Sequence, residues 1–445
     1  MPWNSSTLRA RLPGYLACCA AGLALSLVAA YLGPALMPAA SRHLARPVAH
    51  ASTAAHASTA ASRARWVATW AASPMAATDG VLPSKGFANQ TVRDVIYPSV
   101  GGDALRVHLS NRFGTRPVTV GAASIGAVLD GAALVPGSSR TLTFAGKQAV
   151  TIPRGGTVTS DAVTVTVLPL QDLAISLFLP HATGPVTNHL VSLQTNYVAS
   201  GDHAADQKAT AFTGFEQAAW YFATEVDVRS MTADGTIVAF GDSITDGNAS
   251  LPGAEDRWPN YLARRLIAAY GDRAPGVVDE GIGGNRVLTG SSCFGQSAVQ
   301  RFGRDALSVA GVRAVIVLEG TNDWGFSHGP PHYCTIQQDK NVTAADIELG
   351  YRRLIAMAHA RGVRVYLATI TPRGGSVPMI TALNRWILAS HAARISDGVI
   401  DFAAVVAMPG YPDRLDVPYN SGDDLHPNDL GYGAMANAIP LPWLR

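Results

Sequence analysis

The chain has 445 residues, 48% hydrophobic and 15% charged, with a formal net charge of +2. That length exceeds one ordinary core and implies two folded domains, while the composition excludes a disordered chain and a multi-span membrane protein. Arg9, Arg11, Arg42 and Arg46 precede the first acidic residue, Asp79, and without them the chain carries 30 basic against 32 acidic residues, a balance that argues against nucleic-acid binding.

Arg9 and Arg11 form a positive leader, Tyr15 to Gly33 is uncharged and mostly apolar, and small residues follow at Ala49-His50-Ala51. This layout predicts an export signal over residues 1–48 and a secreted or periplasmic product. The apolar run, about 19 residues, is also long enough to stay as a membrane anchor, and contact with a membrane is expected only in that case. Residues 49–65, rich in Ala, Ser, Thr and His, read as a disordered linker. Cys18 and Cys19 fall inside the signal. Cys293 and Cys334 remain, an even pair suited to an oxidising compartment; two buried thiols are the alternative.

Residues 66–230 predict an all-β sandwich. Ala104–Leu109, Val118–Val120, Thr141–Phe144, Val163–Val167 and Leu173–Leu179 are short segments, mostly with period-two alternation, bounded by Gly, Pro and Asp. From residue 231 to 445 the period changes. Thr236–Phe240, Val277–Val278, Val315–Leu318, Val365–Ile370 and Val399–Phe402 read as buried strands. Helical spacing marks Arg257–Tyr270, Ala344–Ala360, Ile380–Ala393 and Asp429–Ile439 between or after them. Strands alternating with helices predict a doubly wound parallel α/β sheet, with chemistry at the carboxyl ends of the strands.

Four such ends carry candidate residues. Gly241-Asp242-Ser243-Ile244-Thr245 puts a serine on a tight strand-to-helix turn, where helix dipoles favour developing negative charge; Ser243 as a plain N-cap is the alternative. Gly281-Ile282-Gly283-Gly284-Asn285-Arg286 offers bare backbone N–H groups, or an ordinary flexible loop. In Gly320-Thr321-Asn322-Asp323 the asparagine can aim its amide at an oxyanion, or bond its own turn. Asp423-Asp424-Leu425-His426 supplies a histidine base with a carboxylate three residues earlier; the alternative is a structural histidine.

In this order the four blocks resemble the SGNH, or GDSL-type, hydrolase superfamily over roughly residues 235–440, with GDSIT in place of GDSL. The resemblance implies a flavodoxin-like sheet and a serine esterase working through an acyl-enzyme. Ser243 is then the nucleophile, His426 the base and Asp423 its partner. The Ser243 and Gly284 amides and the Asn322 side chain form the oxyanion hole, and no metal or cofactor is implied. The preceding sandwich is similar to a secreted two-domain form of that superfamily. Asp242, Asn285 and Trp324 are expected to line the substrate site, Trp324 and Phe326 as walls of an acyl or sugar pocket or as simple packing. Arg286 and Arg373, after strand ends, are expected as solvated loop residues; contact with an anionic substrate is the alternative. His328 and His332, separated by Gly-Pro-Pro, lack helical ligand spacing and are not expected to bind metal. The substrate expected is an O-acyl ester of carbohydrate, small or polymeric. A lipid-directed esterase or lysophospholipase is the alternative, and a non-catalytic carbohydrate-binding protein a weaker one.

Overall fold

A computed structural model describes residues 64–77, 85–212, 216–328 and 342–445. The expected export signal, nearly all of the linker, His332 and Cys334 lie outside the described residues, as does the His328 side chain. Among the described residues no helix is long and apolar enough to cross a membrane.

The first part of the chain is built of mostly antiparallel sheets. In one, Ala223–Ser230 lies between Arg65–Ala71 and Gly102–Ser110. In another, Leu173–Leu179 lies between Gln90–Ile96 and Ala122–Asp130. Alternation fixes which face is buried. Leu105, Val107, Val226 and Val228 of the first sheet share one core with Val92, Ile125, Ile175 and Leu177 of the second. The expected strand Thr141–Phe144 is corrected: only Arg140–Thr141 pairs as strand, because Ala145 (φ +50°) and Gly146 (φ +76°) turn the chain back and Phe144 bridges Lys147.

The second part contains a five-stranded parallel sheet. Its strands in chain order are Thr236–Gly241, Gly276–Gly281, Val312–Leu318, Arg364–Ala368 and Gly398–Ile400, and their spatial order is second, first, third, fourth, fifth. All six residues of the first strand are buried. Val238 and Phe240 point into one core with Phe302, Tyr351 and Leu383 from helices on that side. Ile237 and Ala239 point into the other, with Trp258, Leu262, Tyr432 and Met435. Helices on both faces explain why the strands are continuous apolar runs.

The expected helices appear within a few residues as Trp258–Tyr270, Ala344–His359, Pro378–Ser390 and Asp429–Asn437. Helices Ala298–Asp305, Thr321–His328 and Phe402–Val406 were not expected. The first starts on a capping box, Ser297 with Gln300, a signal present in the sequence. The second contains Gly325 and shows no apolar stripe.

Residues Ala60–Arg445 form one compact unit. At its seam the Thr236 hydroxyl accepts from the Ala68 amide (3.1 Å) and donates to the Ala310 carbonyl (2.7 Å), and the Val277 amide donates to Ser99 Oγ (2.9 Å). Gly276 has to be glycine there, since a Cβ would lie 2.2 Å from the Ala68 carbonyl oxygen.

Candidate active site

The first strand ends at Gly241, where a Cβ would stand 2.1 Å from the Leu318 carbonyl oxygen. Asp242 then caps the one-turn helix Ser243–Asp246 by accepting from the Ile244 amide (3.0 Å), and Gly247 (φ +86°) closes it. Ser243 is 4% exposed at the start of this turn. Its Oγ lies 2.9 Å from His426 Nε2.

His426 stands on the loop before the last helix, which Asn428 caps by accepting from the Gly431 amide. His426 Nδ1 lies 2.5 Å from Asp423 Oδ2. The other Asp423 oxygen accepts from the His426 amide (2.8 Å), the Leu425 amide (2.9 Å) and Ser421 Oγ (3.0 Å). Partial burial would raise this carboxyl, but the bonds from His426 and Leu425 outweigh it and bring its pKa down to about 2. An acceptor-only carboxylate on Nδ1 leaves the Nε2 lone pair facing the Ser243 hydroxyl. Asp424 adopts φ +60°, is exposed, and accepts from Asn420 Nδ2 (2.6 Å). The carboxylate at i−3 therefore orients the ring, and the one at i−2 turns outward.

The second strand leads into the glycine loop. Gly284 sits at φ +75°, and a Cβ there would meet the Phe294 ring at 2.4 Å, so glycine is required on two counts. The Gly283 amide donates to Asp246 Oδ2 (3.0 Å). After the third strand, Asn322 is 7% exposed and donates one side-chain N–H to the Asn285 carbonyl (3.0 Å). That bond sets the direction of the second N–H. Asp323 accepts from the Val287 amide (2.9 Å) and so ties this block to the glycine loop.

Two expected substrate contacts are corrected. Asp242 is 1% exposed, and its carboxyl is spent on the helix cap. Asn285 is also 1% exposed; its amide donates to the Phe294 and Gln296 carbonyls, and its oxygen accepts from Arg301. Both side chains hold backbone in place. Trp324 is half-buried on the helix after Asn322, with the Arg373 guanidinium 4.7 Å from its ring centre. Neither Arg373 nor Arg286 is a solvated loop residue. Arg373 donates to the Thr321 carbonyl (2.6 Å), and Arg286, 2% exposed, faces Asp323.

The floor of the site went unread in the sequence. Arg301, fully buried, donates to the Gly241 and Glu280 carbonyls (both 2.8 Å) and to Asn285 Oδ1 and Ser73 Oγ (both 2.9 Å). A signal existed: a charged residue beside Phe302 on a helix whose Ala298 and Phe302 face the core. Outside the site, His108, Glu225 and Asp227 bring potential ligand atoms within 4.8 Å of one another. Asp227 Oδ2 there already accepts from Arg106 (2.7 Å) and pairs with His108 (2.8 Å).

Residues 239–434 match the GDSL-like lipase/acylhydrolase family. This part of the chain is a GDSL-like acylhydrolase domain. A search of curated proteins finds no match. Among solved structures, an acetylxylan esterase from Geobacillus stearothermophilus is 21% identical, covering 46% of this chain and 93% of that one, with a TM-score of 0.35. An α/β hydrolase from the metagenome of Lake Arreo, Spain, is 21% identical over 46% of this chain and 94% of its own, at a TM-score of 0.35. A GDSL-like lipase from Bacteroides thetaiotaomicron is 20% identical over 47% and 88%, at 0.32.

Beneath the acylhydrolase site, burial pushes the carboxyls of Asp242, Asp279 and Asp323 up to about 7. A carboxyl whose pKa is raised on folding favours the folded state below its unfolded value, and that contribution is lost as pH rises through the folded value. The melting temperature should therefore fall between pH 5 and pH 8.5, as followed by circular dichroism; a rise over this range would contradict the burial of these groups as acids. In the triad, Asp423→Ala should lose about 10⁴ in rate, as removal of an orienting acid does. Asp424→Ala should stay within several-fold of wild type, and kcat for both with an aryl acetate checks the ranking.

Proposed function

We propose that this protein is an exported serine esterase that removes O-acyl groups from carbohydrate. The observation that carries the catalytic part is the continuous chain Ser243 Oγ, His426 Nε2, His426 Nδ1, Asp423 Oδ2, with links of 2.9 and 2.5 Å. His426 takes the Ser243 proton as Oγ attacks the ester carbonyl carbon. The resulting oxyanion accepts from the Ser243 and Gly284 amides and from the second N–H of Asn322. As the intermediate collapses, His426 passes its proton to the leaving alcohol oxygen and the acyl group remains on Ser243. Water, deprotonated by His426, then attacks the acyl-enzyme; the acid departs and Ser243 recovers its proton.

A carbohydrate substrate is supported by the aromatic side chains that follow the two oxyanion blocks, on the glycine loop and on the helix Thr321–His328. Phe294, Trp324 and Phe326 are half-buried, and the Phe294 and Phe326 rings stack 5.0 Å apart at 10°. Such faces suit sugar rings, and the β-rich part preceding the domain, which we read as a sandwich, suits a polymer. One similar structure is described as an acetylxylan esterase. A lipid-directed reading draws on Leu251 and Leu430, 63% and 65% exposed, at the Leu251–Asp429 hydrogen bond just beyond His426. Export is supported by the sequence of residues 1–48. Cys293, buried beyond the Gly284 loop, is assigned to a disulfide with Cys334.

Wild type should release acetate from acetylated xylan and prefer p-nitrophenyl acetate to the palmitate. Ser243→Ala should lose roughly a million-fold in kcat while remaining folded. A preference for palmitate would favour the lipid-directed reading, and a Ser243→Ala variant keeping a tenth of the rate would remove the nucleophile assignment. Thiol titration of the denatured, unreduced mature protein should find no free cysteine; two free thiols would remove the disulfide.

A further inference from the structure

A histidine from the β-rich part reaches the floor of the acylhydrolase site. His189 lies on the strand Asn188–Leu190 and is 3% exposed. Its Nδ1 lies 2.9 Å from the Ser73 carbonyl oxygen and its Nε2 3.1 Å from Asp246 Oδ1. Trp220 packs against the ring at a tilt of 36°, with centroids 5.5 Å apart. Asp246 is the last residue of the Ser243 turn, and its other oxygen accepts from the Gly283 amide at 3.0 Å. Gly284 follows immediately.

We propose that His189 is a positioning residue for the oxyanion hole: held by Ser73, it anchors Asp246, and Asp246 fixes the Gly283 amide and thereby the peptide that presents the Gly284 N–H. This deepens the esterase reading and rests on it. The Ser73 carbonyl only accepts, so Nδ1 carries a proton. Burial favours the neutral ring, but Asp246, the Ser73 carbonyl and Asp279 outweigh it, and the His189 pKa lies above the ordinary histidine value. Arg257 and Tyr432 are further groups on this side: Arg257 stands 5.4 Å from the Trp220 ring centre and acts on Asp279, while Asp246 acts on Tyr432. Asp246 thus joins the nucleophile turn to the oxyanion loop, and its partner comes from more than fifty residues earlier in the chain. The β-rich part on this account completes the catalytic scaffold and is no detachable binding module.

The bonding pattern supplies its own control. In Asp246→Asn, the amide oxygen still accepts from Gly283, and its NH₂ donates to the Nε2 of a neutral His189. Every hydrogen bond survives and only the charge goes. In Asp246→Ala the Gly283 anchor is lost, and in His189→Phe one carboxylate oxygen of Asp246 is buried without a partner.

The experiment measures kcat and KM for p-nitrophenyl acetate, together with affinity for an aryl trifluoromethyl ketone. Ser243 Oγ adds to the ketone carbonyl and its proton passes to His426, leaving a hemiketal oxyanion in the hole. His189→Phe and Asp246→Ala should each lower kcat about ten- to hundred-fold with KM within about two-fold, and ketone affinity should fall in step. Asp246→Asn should recover to within about five-fold of wild type. The proposal is overturned if folded His189→Phe keeps kcat and ketone affinity within two-fold of wild type, if the losses appear in KM, or if Asp246→Asn is as poor as Asp246→Ala. Should His189→Phe fail to fold, the two Asp246 variants decide, because they leave the His189 ring in place. A Ser243→Ala control separates the two readings. An active control sinks the esterase reading itself, whereas an inactive one with unaffected Asp246 variants sinks only the role of His189.

Discussion

One buried cation organises the site. Arg301 has no exposed surface, and a guanidinium removed from water is costly unless its donors are matched. Here they are spread over backbone and side chains that must stay in register. Gly241 precedes the nucleophile turn, Glu280 and Asn285 bracket the glycine loop, and Ser73 belongs to the β-rich part. Its charge faces Asp305 at 3.6 Å and Glu319 at 3.7 Å, and its plane lies 4.0 Å from the centre of the Phe240 ring. Two strand ends and an external segment thus share one hub. Moving any of them leaves a buried donor unsatisfied, a local cost larger than the net gain of an ordinary hydrogen bond.

The acids around this hub follow from the same constraint. Glu280 and Glu319 are fully buried and their carboxyls are raised well above the usual range, chiefly by burial. Glu280 is held by the Ser73 hydroxyl at 2.5 Å. One guanidinium faces both Asp305 and Glu319, and burial favours the neutral acid form of Glu280 and Glu319. The reactive groups stand above that layer.

What was legible in the sequence divides along a physical line. Motifs defined by backbone geometry could be read: Ser243 on a one-turn helix, Gly284 at positive φ, Asn322 at the end of the third strand, and Asp423 at i−3 from His426. Each is local, and each needs a residue type that few others replace. The parallel sheet was readable too, because strands buried on both faces are continuous apolar runs. What could not be read depends on contacts between distant segments. Asp242 and Asn285 sit next to catalytic residues in sequence, yet their side chains turn inward as caps and clamps. Ser73, His189 and Arg301 carry no motif at all. Their importance comes from tertiary closeness, such as the 228 residues of chain between Ser73 and Arg301. Arg286 and Arg373 were misplaced for the same reason, since their acidic neighbours arrive from other strand ends.

Nucleophile and acid differ in how they are held. Ser243 is set in the core of the sheet, but Asp423, its side chain 48% exposed, belongs to a surface loop that supplies its own bonds through Ser421, Leu425 and His426. That loop is pinned at its ends, where Asn428 reaches the Pro418 and Asn420 carbonyls. Surface segments of this kind open at lower free energy than the core they rest on. On heating, the carboxylate and imidazole would come out of alignment while the sheets are still intact. The half-life of activity would then be shorter than the half-life of the fold, and the loop between Asn420 and Asn428, more than the hydrophobic core, is where heat resistance of the activity would be gained or lost.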